Sequence, residues 1–261
     1  MSDGSTLILL HNGTLEGVLS AVFDSYSYSP PPQGLDTAGC YQPQLGHRYK
    51  EVATNPQHAT RVIAGVRRQM GALGYRKIWQ AFLHNSDDKD SVIYRYIRLG
   101  MKEGERIHQM LTHPTVLAID KLCAITGREA SFLTEFIRFS EVEGHLYYAE
   151  ITPEHMSLPL IMPHFTARMN THPFLIHDKT HRIAGVYDRH EWVLVSTDNM
   201  TLPALSENEL AYRRLWKTFY DTIAIKERIN PKLRQQLMPK KYWKNITELQ
   251  PDNHALSLKS T

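Results

Sequence analysis

The stretch 174-FLIHDKTHRIAGVYD-188 decides the fold, because it sets a polar cluster, His177, Asp178, Lys179, His181 and Arg182, inside an apolar alternation. A period of two belongs to a strand, and two such arms around a polar centre read as a hairpin. The period continues to Ser196, with turns expected at Lys179-Thr180 and Arg189-His190, so Phe174 to Ser196 form a three-stranded meander. Upstream, 136-FIRFSEVEGHLYYAEI-151 has Glu143-Gly144 at its centre and β-branched or aromatic residues on both sides, a second hairpin. Between the two, Ser157-Leu158-Pro159 open a helix through Met169, with an irregular start because Pro163 has no N–H to donate.

Further towards the N-terminus the period changes to that of helices. Leu7 to Leu10 read as a short strand, Asn12-Gly13 as a turn, and Thr14 as the cap of a helix with Leu15, Val18, Leu19, Val22 and Phe23 on one face. The proline run after Ser29 ends it, and Asp36 to Tyr49 show no period, as expected of an irregular surface loop. Asn55-Pro56 start a helix bearing Ala59, Val62, Ile63, Val66 and Met70, followed by shorter helices around Tyr75 to Leu83 and Ile93 to Met101 and a longer one from Thr115 to Phe132. Near the C-terminus, Ser206 with Glu209 forms a capping box for a helix to about Arg228. The expected class is α+β, an antiparallel sheet built from a hairpin and a meander and packed with several helices. One domain over 1–261 is expected, with a mainly helical N-terminal lobe (about 1–134) and a sheet-containing C-terminal lobe (about 135–261).

With 261 residues, 42% of them hydrophobic, the chain can bury a sizeable core. Its two cysteines, Cys40 and Cys123, are far apart, which argues against a disulfide framework or a thiolate zinc site and suits a reducing cytoplasm. No run approaches the roughly 18 apolar residues of a membrane span, and neither export nor membrane insertion is expected. The formal charge of +3 is unevenly spread. From Leu210 to Lys244 ten lysines and arginines face two acids, a net +8, which leaves −5 on the remainder. Tyr212, Trp216, Phe219, Tyr220, Tyr242 and Trp243 interleave with those charges. Such a mixture pairs cations with phosphates and stacks rings on bases; the alternative is an amphipathic helix with a solvated basic face. Arg213, Arg214, Lys217, Lys240, Lys241 and Trp243 are the nucleic-acid-binding candidates of this segment.

A two-residue loop at Lys179-Thr180 would set Asp178 opposite His181 and His177 opposite Arg182. Imidazole, carboxylate and guanidinium would then gather at one end of the sheet, with His177 as general acid/base oriented by Asp178 and Arg182 as a phosphate ligand. The same composition also suits a hairpin tip that is polar only for solvation. His164 precedes Arg168 by four residues, so a regular helix places both on one face. His164 joins His177 and Asp178 as a catalytic candidate, and the three would make a two-His, one-carboxylate site for a divalent metal. The compact H-E-x-x-H spacing is missing, so the preferred reading is a hydrogen-bonded histidine at a helix–sheet junction, and no cofactor is expected. Arg138, with Arg168 and Arg182 a phosphate-binding candidate, and Tyr148 face either the same cleft or the core. Glu129 is read as a surface residue of the long helix. Nucleotide-binding loops and the nucleophile-elbow motif do not occur.

Eight segments in this order carry a resemblance: GVLSAVFDSY (17–26), RVIAGV (61–66), YIRLGMKEG (96–104), FIRF (136–139), YYAEITP (147–153), PHFTAR (163–168), IHD (176–178) and MPKKYW (238–243). Together they resemble an uncharacterised bacterial family labelled as DNA-metabolism proteins. Its genes accompany that of a radical-SAM protein of DNA repair, and some of its members are fused to a uracil-DNA glycosylase domain. The resemblance implies a setting, DNA repair or modification, with DNA, a radical-SAM protein and a uracil-DNA glycosylase-like protein as partners. It assigns no active site. The pattern departs at Ser131, where the family leads one to expect a histidine shortly after Glu129. Radical-SAM chemistry would belong to the partner, since an iron–sulfur cluster needs three or four thiolates. The resulting expectation is a DNA-binding accessory protein; the rivals are an enzyme acting on nucleic acid or nucleotides through His177 and Asp178, and a protein-interaction module.

Overall fold

A computed structural model describes residues 6–142, 145–198 and 231–246, together with Glu209, Tyr212, Arg213, Leu215, Trp216, Thr218 and Leu249. The Glu143-Gly144 turn, the Ser206 cap, and Arg214 and Lys217 of the basic helix lie outside the described residues. The chain divides into two units, residues 1–127 and 128–261.

In the first unit, β1 (Thr6–His11) is flanked by β2 (Gly34–Thr37) and β3 (His47–Glu51) in a three-stranded parallel sheet of order β2-β1-β3. The helices are α1 (Leu15–Asp24), α2 (Pro56–Phe82), α3 (Lys89–Glu103) and the first part of α4 (Pro114–Phe136). Thr14 caps α1 by accepting the Gly17 amide at 3.0 Å, and Asn55 caps α2 ahead of Pro56. The helical stripes converge as their spacing requires: Val18, Leu19, Val22, Val62, Val66, Met70, Ile93, Tyr96 and Ile97 form one core with Leu9. α2 breaks at Gly71, whose φ of 65° a side chain would resist.

The expected irregular loop from Asp36 to Tyr49 is corrected here, because it holds β3 and the end of β2. Both are edge strands held by backbone pairing to β1, and β3, HRYKE, buries none of its side chains, so no apolar alternation marks it. His11 ends β1 and is buried; its Nδ1 accepts from the Gly13 amide at 3.1 Å, which leaves the proton on Nε2 to bond Asp90 Oδ2, also at 3.1 Å. That bond ties the end of β1 to the first turn of α3. Cys40 is exposed between β2 and β3, whereas the Cys123 thiol on α4 donates to the Lys77 carbonyl at 3.3 Å. Burial, reinforced by Asp120, pushes that thiol up to about 11.

The second unit contains the end of α4, then β4 (Ser140–Val142), β5 (Leu146–Ile151), α5 (Leu158–Arg168), β6 (Phe174–Asp178), β7 (Ile183–Tyr187) and β8 (Trp192–Ser196). A single sheet runs β4-β5-β6-β7-β8, an α+β arrangement. Hairpin and meander are antiparallel within themselves, but β5 and β6 pair in parallel because α5 carries the chain back between them. One face of the sheet, with Ala149, Ile151, Phe174, Ile176 and Tyr187, packs with Leu158, Ile161, Met162 and Phe165 of α5 and with Leu133 of α4. At Gly185 any Cβ would run into the Met162 sulfur, so a glycine is required for α5 to approach β7 this closely. After α6 (Pro231–Leu237), a 3₁₀ turn at Lys240–Asn245 buries Tyr242. Among the described residues no helix is long and apolar enough to cross a membrane.

Candidate functional site

The parallel register of β5 and β6 sets Glu150 beside His177 and Tyr148 beside Leu175, on the sheet face opposite the one that packs with α5. The Tyr148 hydroxyl lies 3.0 Å from Glu150 Oε1 and 3.0 Å from His177 Nδ1. Lys179 Nζ approaches the same Glu150 oxygen at 3.6 Å. A phenol has one proton to give, and a carboxylate is the stronger acceptor, so Tyr148 donates to Glu150. His177 Nδ1–H must then donate to the phenol oxygen, which leaves the Nε2 lone pair available. Burial raises the Tyr148 pKa and Glu150 raises it further, so the phenol stays protonated. Burial lowers that of His177, with Lys179 adding to the effect and Glu150 and Asp178 opposing it, so the ring is neutral near physiological pH. The row Lys179–Glu150–Tyr148–His177 thus fixes one imidazole tautomer and presents a neutral base.

Asp178 is not hydrogen-bonded into this row. Successive strand residues face opposite ways, and Asp178 is fully buried, accepting the Thr180 and His181 amides through Oδ1 and His181 Nδ1 at 2.7 Å through Oδ2. The expected two-residue turn is corrected accordingly. Asp178 pairs with Ile183 and His177 with Ala184, so the loop is the four residues Lys179 to Arg182, closed by Arg182 at a φ of 54°. His177 is therefore oriented by Tyr148, not Asp178, and Arg182 does not oppose it; the Arg182 side chain is largely exposed, 4.0 Å from Asp198.

His164 and Arg168 are exposed on α5. Since α5 packs on the other face of the sheet, His164 and His177 do not meet, and the two-His, one-carboxylate set is not assembled. No cluster of three or more metal-ligating side chains occurs among the described residues. Arg138 Nη1 donates to the carbonyls of Glu135 and Ile137 at the end of α4, and Tyr148 is the one of that pair that reaches His177.

The larger correction concerns Glu129, which is buried. Its Oε1 accepts the Glu154 amide at 2.9 Å and Lys241 Nζ at 3.0 Å; its Oε2 accepts the His155 amide and the Ser157 hydroxyl, each at 2.9 Å. Burial pushes the carboxyl upward, but the two amides, Lys241 and Ser157 outweigh it and hold it below the usual carboxylate range. The signal was in the helix spacing: Leu122, Thr126, Glu129 and Leu133 recur at steps of four, three and four, the buried stripe of α4. Ser131, where the family pattern leads one to expect histidine, lies on the exposed side.

Lys241 is therefore a clasp rather than a free cation. Arg213 likewise pairs with Glu209 at 2.8 Å and with the Ser140 hydroxyl. Lys240 is exposed, and its ammonium lies 6.0 Å from the Trp243 ring; the Arg234 guanidinium lies 4.9 Å from the same ring.

A family model described as a domain of unknown function, DUF4130, matches residues 87–248, more than half of the chain. The chain belongs to the DUF4130 family. The matched segment of this DUF4130 member runs from just before α3 through the Trp243 turn, and so takes in the His177 row and the Glu129 clasp. No curated protein matches the chain.

Two outcomes are expected. Glu129→Ala leaves four donors without their acceptor and costs about 3 kcal/mol in urea denaturation near neutral pH. Because the folded carboxyl titrates below its ordinary value, its contribution is present above that value and is lost as pH falls through the folded one; the stability of Glu129→Gln should therefore fall less on acidification than that of the wild type. For His177, long-range nitrogen–proton NMR should show the Nδ1–H tautomer in the wild type and a shift towards Nε2–H in Tyr148→Phe.

Proposed function

We propose that this DUF4130 member is a DNA-binding accessory protein of a DNA repair or modification system, acting with a radical-SAM partner. The observation that carries the reading is the bracketing of Trp243 by Arg234 and Lys240 on an anchored turn. Lys241 fastens that turn to Glu129, and Tyr242 is buried beneath it, so the ring and its cations are presented from a fixed backbone. An indole flanked by cations suits a nucleic-acid strand: the ring stacks on a base and the charges meet phosphates. The resemblance to bacterial DNA-metabolism proteins supplies the setting. With two cysteines in this chain, an iron–sulfur cluster belongs to the partner, and a uracil-DNA glycosylase-like protein fits as a further member of the system.

The tautomer of His177 favours a second reading, an enzyme acting on nucleic acid or nucleotides, with Nε2 as general base and Tyr148 and Glu150 as positioning residues.

Fluorescence anisotropy with single-stranded, duplex and uracil-containing DNA separates the two. Trp243→Ala should weaken binding by about 1–3 kcal/mol, the worth of one stacked base. Lys240→Ala should reduce the slope of log affinity against log salt by about 0.7 on a single strand. Unchanged affinity in both variants would remove this surface from the reading. Strands altered on a denaturing gel by the wild type but not by His177→Ala, with the thermal midpoint retained, would promote the enzyme.

A further inference from the structure

We propose that the first unit carries a separate binding site for single-stranded nucleic acid, an open cleft along α3; the proposal rests on the nucleic-acid reading above and adds a site that lies wholly outside the second unit. The cleft has a volume of about 670 Å³ and is lined by Tyr26, Tyr94, Arg95, Arg98 and Lys102, with Thr115 at the start of α4 at its margin. Among the described residues no carboxylate lines it. Arg95, Arg98 and Lys102 stand at helical steps of three and four, so one face of α3 presents three positive charges in a row. Over those seven residues the helix rises about 10 Å.

Arg98 is held in place. Its guanidinium stacks on Tyr26 at 4.6 Å and on Tyr94 at 5.7 Å, and its Nη1 donates to Ser25 Oγ at 3.3 Å. Tyr94 is fixed in turn by donating its hydroxyl to the Pro32 carbonyl at 2.8 Å. Arg95 and Lys102 are exposed, and among the described residues neither has a carboxylate within ion-pair distance, so both charges remain available. Tyr26 is 53% exposed although it is a large ring, and its outer surface is a platform beside the cation row. Cations spaced along a groove next to a prepositioned aromatic ring take up a strand whose phosphates follow the cations while an unpaired base covers the ring. A duplex offers the phosphates but no free base face, which is why the ligand is a single strand.

The test uses the full chain and fluorescein-labelled oligothymidylate, with unlabelled duplex, thymidine monophosphate and inorganic phosphate as competitors. Arg95→Ala with Lys102→Ala should weaken single-strand binding by at least about tenfold and reduce the log–log salt slope by about 1.4, two phosphate contacts at about 0.7 each. Tyr26→Ala should weaken it by a similar factor, while Tyr26→Phe, which keeps the ring, should bind as the wild type does. Ultraviolet crosslinking followed by peptide mass spectrometry should place the strand on the peptide containing Tyr26. Wild-type affinity in both alanine variants, with crosslinks confined to residues 231–246, overturns the cleft while the DNA-binding reading stands. Binding of thymidine monophosphate as tight as that of the oligonucleotide overturns the strand in favour of a nucleotide. Absence of any nucleic-acid binding by the wild type at low salt overturns both the cleft and the DNA-binding function.

Discussion

A carboxylate removed from water needs a full set of partners, and in the second unit Glu129 imposes that requirement on its surroundings. Its acceptors are filled from two directions. The loop after β5 supplies two amides and the Ser157 hydroxyl immediately before α5, and the C-terminal turn supplies Lys241. The first set fixes where α5 starts, hence the crossover that makes β5 and β6 parallel; the second fixes the backbone that presents Trp243. One buried charge thus sets both the sheet's connection and the basic turn, and the identity of residue 129 matters more than its sequence neighbours suggest.

The strand pleat accounts for the rest of the site. With β5 and β6 parallel and in register, Tyr148, Glu150 and His177 share a face, and the residue after each of them faces the other way. His177 and Asp178 are neighbours in sequence and are separated by the sheet itself. The two carboxylates near the hairpin have different tasks: Asp178 closes a turn, while Glu150, through Tyr148, sets the proton on an imidazole.

Period-two patterning revealed the hairpin and the meander because β5, β6 and β7 bury one face in the core, whereas β8, WVLVS, buries none of its residues and was legible from its β-branched composition. The patterning missed β2 and β3, since a parallel edge strand such as HRYKE is held by backbone bonds that leave no hydrophobic trace. Loop length escaped for a related reason: Asp178 folds the chain through its own side chain, a four-residue closure that a count of turn formers does not separate from a two-residue one. Glu129 was legible from the apolar stripe of its helix, had the carboxylate been kept in that stripe. Lys241 read as one cation among ten, because an ion-pair partner more than a hundred residues away leaves no local mark. The α3 cleft was hidden in the same way: its cation row lies within one helix, but the ring that completes it comes from the turn just after α1.

The two thiols of this chain differ in a way that gives the experimenter a handle. Cys123 is partly buried, donates to the Lys77 carbonyl and has its ionisation pushed up to about 11, so at neutral pH it offers almost no thiolate. Cys40 stands exposed in the loop between β2 and β3. A maleimide dye at neutral pH will therefore attach at a single position without mutagenesis, so the unmodified sequence already provides a site-specific fluorescent label.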